Sequence, residues 1–499
     1  MDTSKPKQAH PEWATKHRKS GTELKRINGK YYLYGVASVY NKETKKTKKI
    51  SLGILGSISE EKGFIPSVKA ELKEKSAKSY YGQEIFSVEY GFSKWLYDVL
   101  AADGTLAKLK VSFPDLWQFI VCMVYTRVAY QSPLKNIPFF LQQADLPHLL
   151  GFDTVLNDQK VSNLLYELGA RPKSIHEFML PSDTQKRTVL MDATDIVLQS
   201  HHISLSQQGY NSHLDFQSQF VLLYLYDALS LEPLYYRILA GNLREIAALK
   251  NTLKLCGLEN CVYIADKGFL SEANLCELEQ NGMQYIIPLK RDNPLIPYQH
   301  TKDLELTDNY FQHHKRFIFY VDTQTQGHRK VNLFVDGKLK EEEKTDYLKR
   351  IATLPESFTK EKFKEKVPSM GTLTLIHNTD YTPEQVYREY KNRNEIEQFF
   401  DHLKNTLNAA ASHMQRTESL NGWMFINHLA MNLIYKLYAE LRNKKLNKKQ
   451  TLNHKYAIAD TIEHLKSIKK IRFSNNDSVI AEIPKATRQL LLKLNLSVT

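Results

Sequence analysis

Three stretches of this 499-residue chain set carboxylates beside patterns able to organise them. Thr188-Val189-Leu190-Met191 is a short apolar, β-leaning run that ends in Asp192-Ala193-Thr194-Asp195. Cys261-Val262-Tyr263-Ile264-Ala265 is a second such run, ending in Asp266-Lys267-Gly268-Phe269. The third, Tyr387 to Lys404, reads YREYKNRNEIEQFFDHLK and carries Glu397. An acid at the end of a buried strand is costly unless it is paired or bound to metal. Asp, Asp and Glu together suit hard divalent ions, which prefer oxygen ligands. Two such ions about 3.5 to 4 Å apart activate an oxygen nucleophile and stabilise a departing 3′ oxygen, as phosphodiester hydrolysis and strand transfer require. Asp192, Asp266 and Glu397 are therefore the candidate catalytic and metal-binding residues. Asp195, three positions beyond Asp192, faces the other side of the strand; Asp192 is preferred because it directly follows the apolar run.

The elements around these acids follow from local pattern. Pro383 is preset for a first helical position, and Thr382 with Gln385 forms a capping-box pattern, so a helix starts there. No Gly or Pro interrupts it through Lys404. At about 100° per residue, with Tyr390 at 0°, Arg393 falls near 300°, Glu397 near 340° and Lys404 near 320°, on one polar face. Ile396, Phe399, Phe400 and Leu403 form an apolar stripe beside it. Upstream, Thr188–Met191, Gln219–Tyr226 and Pro233–Leu239 are three consecutive strands joined by short turns, hence an antiparallel meander. Asn242 and Glu245 cap a helix through about Leu255. After the Cys261 strand, a helix from about Ser271 to Gln280 leads to a strand, Gln284–Leu289, ending in Lys290-Arg291. The order is β-β-β-α-β-α-β, followed eventually by the Glu397 helix.

Tyr390-x2-Arg393-x3-Glu397-x6-Lys404 matches the YREK signature of the insertion-sequence DDE transposases of the IS-four group. Asp192-x-Thr194 resembles that family's first-acid motif, and Asp266-Lys267-Gly268-Phe269 its DxG[YF] motif. The resemblance spans about Thr188 to Lys404. It implies a multidomain α/β protein with an RNase H-like catalytic core (β-β-β-α-β-α-β-α) and a β-rich insertion before the catalytic Glu helix. It further implies a bacterial cut-and-paste DNA transposase that binds terminal inverted repeats, uses two Mg2+ ions (Mn2+ substituting) and acts as a homodimer on transposon ends and target DNA. Tyr390, Arg393 and Lys404 would then clamp end phosphates, although Arg393 could instead pair with Glu397 across one helical turn. Lys267, Lys290 and Arg291, beside the strand ends, are further candidate DNA contacts. Two other functions stay open: an RNase H-like nuclease or resolvase without strand transfer, and a domesticated, non-catalytic DNA-binding protein. Nucleotide-driven chemistry is disfavoured, because neither GxxxxGK[ST] nor a strand-linked GxGxxG occurs.

Composition points the same way. A formal charge of +13 and pI near 9.1 favour a polyanionic partner, nucleic acid or an anionic membrane. No apolar run of roughly 18 residues and no signal-peptide core appear, so a cytoplasmic location without membrane partners is expected. The four cysteines show no CxxC spacing and read as small buried hydrophobes.

The expected domains are a flexible basic arm at 1–20, a small antiparallel β domain at 21–80, a helical domain at 84–182, and the first part of the core at 186–290. The β-rich insertion at 291–380, the second core part with the catalytic helix at 381–441, and a basic C-terminal region at 442–499 complete the chain. In the β domain, Asn28-Gly29 reads as a type I′ hairpin turn. Lys45, Lys46, Lys48 and Lys49 lie beyond it, near Tyr31, Tyr32 and Tyr34, as candidate DNA contacts. RNKKLNKK (Arg442–Lys449) and KSIKKIR (Lys466–Arg472) are basic runs of the tail.

Overall fold

The computed structural model describes residues 10–41, 46–67, 85–180, 187–198, 200, 203, 207–210, 216–227, 230, 232–240, 252, 255–256, 261–302, 304–325, 328–393, 401–407, 411–447, 450–473 and 477–496. The chain is a mixed α/β, multidomain protein with two compact units, one of residues 1–86 and 471–479, the other of residues 87–470 and 480–499.

The first unit holds an antiparallel sheet of β1 (Thr22–Ile27), β2 (Lys30–Asn41), β3 (Lys46–Ser59) and β4 (Gly63–Pro66), in that order. Asn28 (φ 47°) and Gly29 (φ 76°) both take the left-handed conformation that a type I′ turn needs, which sets the pairing of Ile27 with Lys30. Leu24, Tyr31, Leu33 and Ile58 are buried on one face, against Ala14 and Trp13 of a short N-terminal helix.

β5 (Ile85–Glu89) runs across the start of the second unit at Ser87 and leads into its helices, and a large sheet follows. Its strands are β6 (Arg187–Leu198), β7 (Gln207–Tyr210), β8 (Phe216–Asp227), β9 (Glu232–Ala240), β10 (Cys261–Ile264), β11 (Gln284–Pro288), β12 (Tyr310–His313), β13 (Arg316–Gln324), β14 (Lys330–Asp336), β15 (Thr372–His377) and β16 (Ala411–Ser412). They run in the order β12-β13-β14-β15-β11-β10-β6-β8-β7, with β9 on β8 and β16 on β6. β6, β8 and β9 are antiparallel neighbours, whereas β10 lies parallel to β6 and β11 parallel to β10. Phe220–Tyr226 and all of β10 are buried, as near-continuous apolar strands covered on both faces must be. The strands between residues 310 and 377 extend this same sheet through the antiparallel pairing of β15 with β11.

Helices Trp117–Tyr130 and Asp158–Gly169 pack with the 27-residue helix Thr417–Asn443. The last two meet through glycines: a Cβ on Gly169 would come within 1.6 Å of the Glu418 carbonyl oxygen, and one on Gly422 within 2.4 Å of that of Leu165. Among the described residues no helix is long and apolar enough to cross a membrane. Cys122, Cys256 and Cys261 are buried, but Cys276 is only partly so.

Three expectations are corrected. The first two strands of the meander are not joined by a short turn, because β6 ends at Leu198, β8 starts at Phe216 and β7 comes between them. The first acid does not end its strand: β6 runs six residues beyond Asp192, because β8 keeps pairing with it as far as Val197. The helix opened by Thr382 and Gln385 forms with both capping-box bonds, but it ends at Lys391 rather than continuing to Lys404. There the backbone tightens into three-residue bonds, Asn392 N–H to Glu389 O at 3.2 Å and Arg393 N–H to Tyr390 O at 3.0 Å, and Arg393 turns toward the sheet. Residues His402–Thr406 form a π turn. Glu397, with Ile396, Phe399 and Phe400, lies outside the described residues, as do Lys45 and most of the helix expected from Asn242 to Leu255.

Candidate active site

β6 and β10 bring the first two acids together. They pair in parallel with Ile264 opposite Leu190, so two residues further on Asp266 comes alongside Asp192 on the same face. β10 ends at Ile264, and Ala265-Asp266 lead into a 3-10 turn, Lys267–Phe269, closed by the Phe269 N–H donating to the Asp266 carbonyl at 2.9 Å. The edge of β6 next to Asp192 is thus released from pairing where the acids stand, and is taken up again by β16 at Val197 and Leu198. A carboxylate at mid-strand gains access to a ligand in this way without breaking the sheet on its other side.

Arg393 completes the pair. Its Nη2 lies 3.3 Å from Asp192 Oδ2 and 3.9 Å from Asp266 Oδ1, one cation reaching both carboxylates. The side chains of Asp192 and Arg393 are 18% exposed and that of Asp266 38%, so the cluster is open mainly on the Asp266 side. Asp192 Oδ1 also accepts from the Ala193 N–H at 2.9 Å, which fixes its plane.

Asp195 stands on the opposite face of β6 and has its own partners. Gln219 Nε2 donates to it at 3.4 Å from across the β8 pairing. Burial raises the Asp195 pKa against the opposing pull of Lys404, and burial lowers that of Lys404 against the opposing pull of Asp195. Two facing sets, Asp192–Asp266–Arg393 and Asp195–Lys404, therefore occupy the two sides of one strand. The i,i+3 spacing of the two acids already puts Asp195 on the far side of the strand, but sequence reasoning grouped Lys404 with Arg393 and Glu397 and missed its place beside Asp195.

The other candidate contacts separate by environment. Lys267 and Lys290 are exposed next to the acids' sheet edge. Arg291 is engaged within the protein, with Nη1 and Nη2 on Glu343 at 3.1 and 2.9 Å and Nη2 on the Thr372 carbonyl at 3.3 Å. Tyr390 is half-buried and packs against the core. Lys48 is exposed, while Lys49 pairs with Glu23 at 3.0 Å; of Lys46 only the backbone is described. In the tail, Lys466 donates to the Ala129 carbonyl at 2.9 Å and Lys470 reaches the buried Asp145 at 3.4 Å, so this basic run is partly structural.

Among the described residues no cluster of three metal-binding side chains forms, and Glu397 is not among them. Asp192 and Asp266 by themselves fit a hard cation: oxygen donors on adjacent strands already converge on one positive group.

A family model described as "Transposase DDE domain" matches residues 183–433. No curated protein matches the chain. Among solved structures, a piggyBac transposase synaptic complex with hairpin DNA is similar at 12% identity, covering 74% of this chain and 70% of that one, with a TM-score of 0.35.

Proposed function

Since the chain belongs to the transposase DDE domain family, we propose that it is the DNA transposase of a bacterial insertion sequence, binding terminal inverted repeats and cutting and joining DNA by a metal-dependent, cut-and-paste route. The observation that carries this reading is the convergence of Asp192 and Asp266 on adjacent strands, both within reach of Arg393. The strand order β9-β8-β6-β10-β11, antiparallel for the first three and parallel for the last two, supports an RNase H-like core. Asp192 and Asp266 would hold Mg2+, with Glu397 as third carboxylate. Bound metal would supply activation of the attacking oxygen and neutralisation of the departing 3′ oxygen. Arg393 sets the spacing of the two Asp carboxylates and offers its charge to a phosphate that approaches them. Lys267, exposed beside Asp266, is placed to receive the same backbone. Two DNA ends imply two copies of the chain in the working complex, and a cytoplasmic location follows from such a substrate.

The test uses the full chain, Mg2+ and DNA ending in the inverted repeats that flank the gene. Cleaved ends and joined products with a plasmid target are expected. Loss of a metal ligand is worth several kcal/mol of barrier, so Asp192→Ala, Asp266→Ala and Glu397→Ala should each slow cleavage by roughly a thousandfold while retaining DNA binding. Near-normal cleavage by any of them sinks that residue's role, and cleavage without joined product leaves a nuclease rather than a transposase.

A further inference from the structure

A cavity of about 940 Å3 opens in the second unit, away from Asp192 and Asp266, between the helix Asp158–Gly169, the end of the helix Trp117–Tyr130 and the segment Ser412–Trp423. On its lining is Arg127, whose residue is only 3% exposed. The partners of this guanidinium are neutral. Nε and Nη2 donate to Asn427 Oδ1 at 3.2 and 3.1 Å, Nη2 donates to the Leu407 carbonyl, and the group lies 4.2 Å from the centre of the Trp423 ring. Among the described residues no carboxylate pairs with it, and burial alone drives its pKa down to about 9. A buried charge held only by dipoles is expensive, and an anion entering the cavity would repay that cost.

The rest of the wall narrows the class of anion. Arg416, at the rim, lies 5.4 Å from the centre of the Tyr166 ring, so each of the cavity's two guanidinium groups is backed by an aromatic plane. Such groups meet phosphate through their N–H forks and stack on bases through their flat faces. Gln131 and Asn163 add amides that can both donate and accept, as a base edge requires. Glu167 is the carboxylate on the lining, and it is exposed. The wall is also tied to the catalytic strand: Ser412 pairs with Leu198 at the end of β6, and Ser200 Oγ donates to Gln415 Oε1 at 3.0 Å.

We propose that this cavity is a subsite for one unpaired, phosphate-bearing nucleotide of a DNA strand, with Arg127 and Arg416 taking the phosphate and Gln131 and Asn163 the base. This rests on the reading of the chain as acting on DNA. A strand held here would pass from the far end of β6 toward the carboxylates near its middle, so the subsite would fix the position of the DNA relative to Asp192.

The test titrates the full chain with a fluorescent single-stranded tetranucleotide at about 0.2 M salt, where sequence-independent phosphate binding is weakened. Arg416→Ala and Asn163→Ala alter exposed side chains and should leave the melting temperature in place; the first should weaken binding roughly tenfold and the second severalfold. A tetranucleotide carrying 5-iododeoxyuridine should photocrosslink to the peptides of Tyr166 or His413. Unchanged affinity in both variants, or crosslinks only elsewhere, overturns the proposal. Equal competition by thymidine monophosphate would make the site one for a free nucleotide and overturn its assignment to a strand. Asp192→Ala, measured in parallel, should keep tetranucleotide binding and lose cleavage; retained cleavage would defeat the catalytic reading, while the crosslink still decides the cavity.

Discussion

Arg393 holds Asp192 and Asp266 together at 3.3 and 3.9 Å, and a divalent cation would be drawn by the same oxygens. Arg393→Gln removes a charged partner from one mostly buried carboxylate and one more open to water. Without metal the variant should be less stable by about 1 to 3 kcal/mol. Added Mn2+ should then raise its melting temperature more than it raises that of the wild type, because the ion replaces a missing charge rather than competing with a present one. Equal shifts in the two proteins would show that Arg393 and the ion do not share these oxygens. That Asp192 and Asp266 converge was readable in advance, since each directly follows a short apolar run. The approach of Arg393 to them was not, because it lies far from both in sequence and nothing in its local spacing ties it to β6.

At the scale of elements, local signals with a single physical cause survived. The Thr382–Gln385 capping box and the Asn28-Gly29 turn each depend on a few adjacent residues, and both form. Strand lengths did not survive as well, since β6 is prolonged by β8, a partner distant in sequence, and β7 and β12 carried no pattern that marked them. β15 joins the central strands to β14, and His377 sits at this seam with no exposure, its Nδ1 3.0 Å from Thr379 Oγ1 and its Nε2 2.9 Å from Asn332 Oδ1. Burial holds its pKa down to about 4, and that of the buried His428 to about 3. A depressed histidine pKa means that the unfolded chain takes up the proton first. The stability is complete above about pH 6.5 and is lost as pH falls toward 4, by about 3 kcal/mol for His377. His377→Gln should reduce the slope of stability against pH between about 6.5 and 5, with His428, His402 and His313, whose pKa values burial also lowers, supplying the remainder. Denaturant midpoints across that range measure it, and an unaltered slope would place the acid sensitivity elsewhere.

Over the whole molecule, charge and chemistry are unevenly distributed. Residues 1–67 contain fourteen Lys and Arg against six Asp and Glu, a surplus of eight within a total of +13, whereas Asp192 and Asp266 belong to the other unit. Affinity for DNA would then be set largely by residues that take no part in the reaction. Lys48 is exposed on β3, so a phosphate contact there is a released counterion and little else. Lys48→Ala should weaken binding alike for every DNA sequence and reduce the slope of log affinity against log salt by about 1. Arg291→Ala offers the contrast. That side chain is committed to Glu343 and Thr372, so its loss should lower stability by about 0.5 to 1 kcal/mol while leaving the salt slope where it was. Anisotropy titrations of the full chain from about 0.05 to 0.2 M salt, on two unrelated duplexes, separate the cases. A Lys48→Ala slope equal to that of the wild type would remove β3 from the DNA contact, and a reduced slope in Arg291→Ala would return that residue to it.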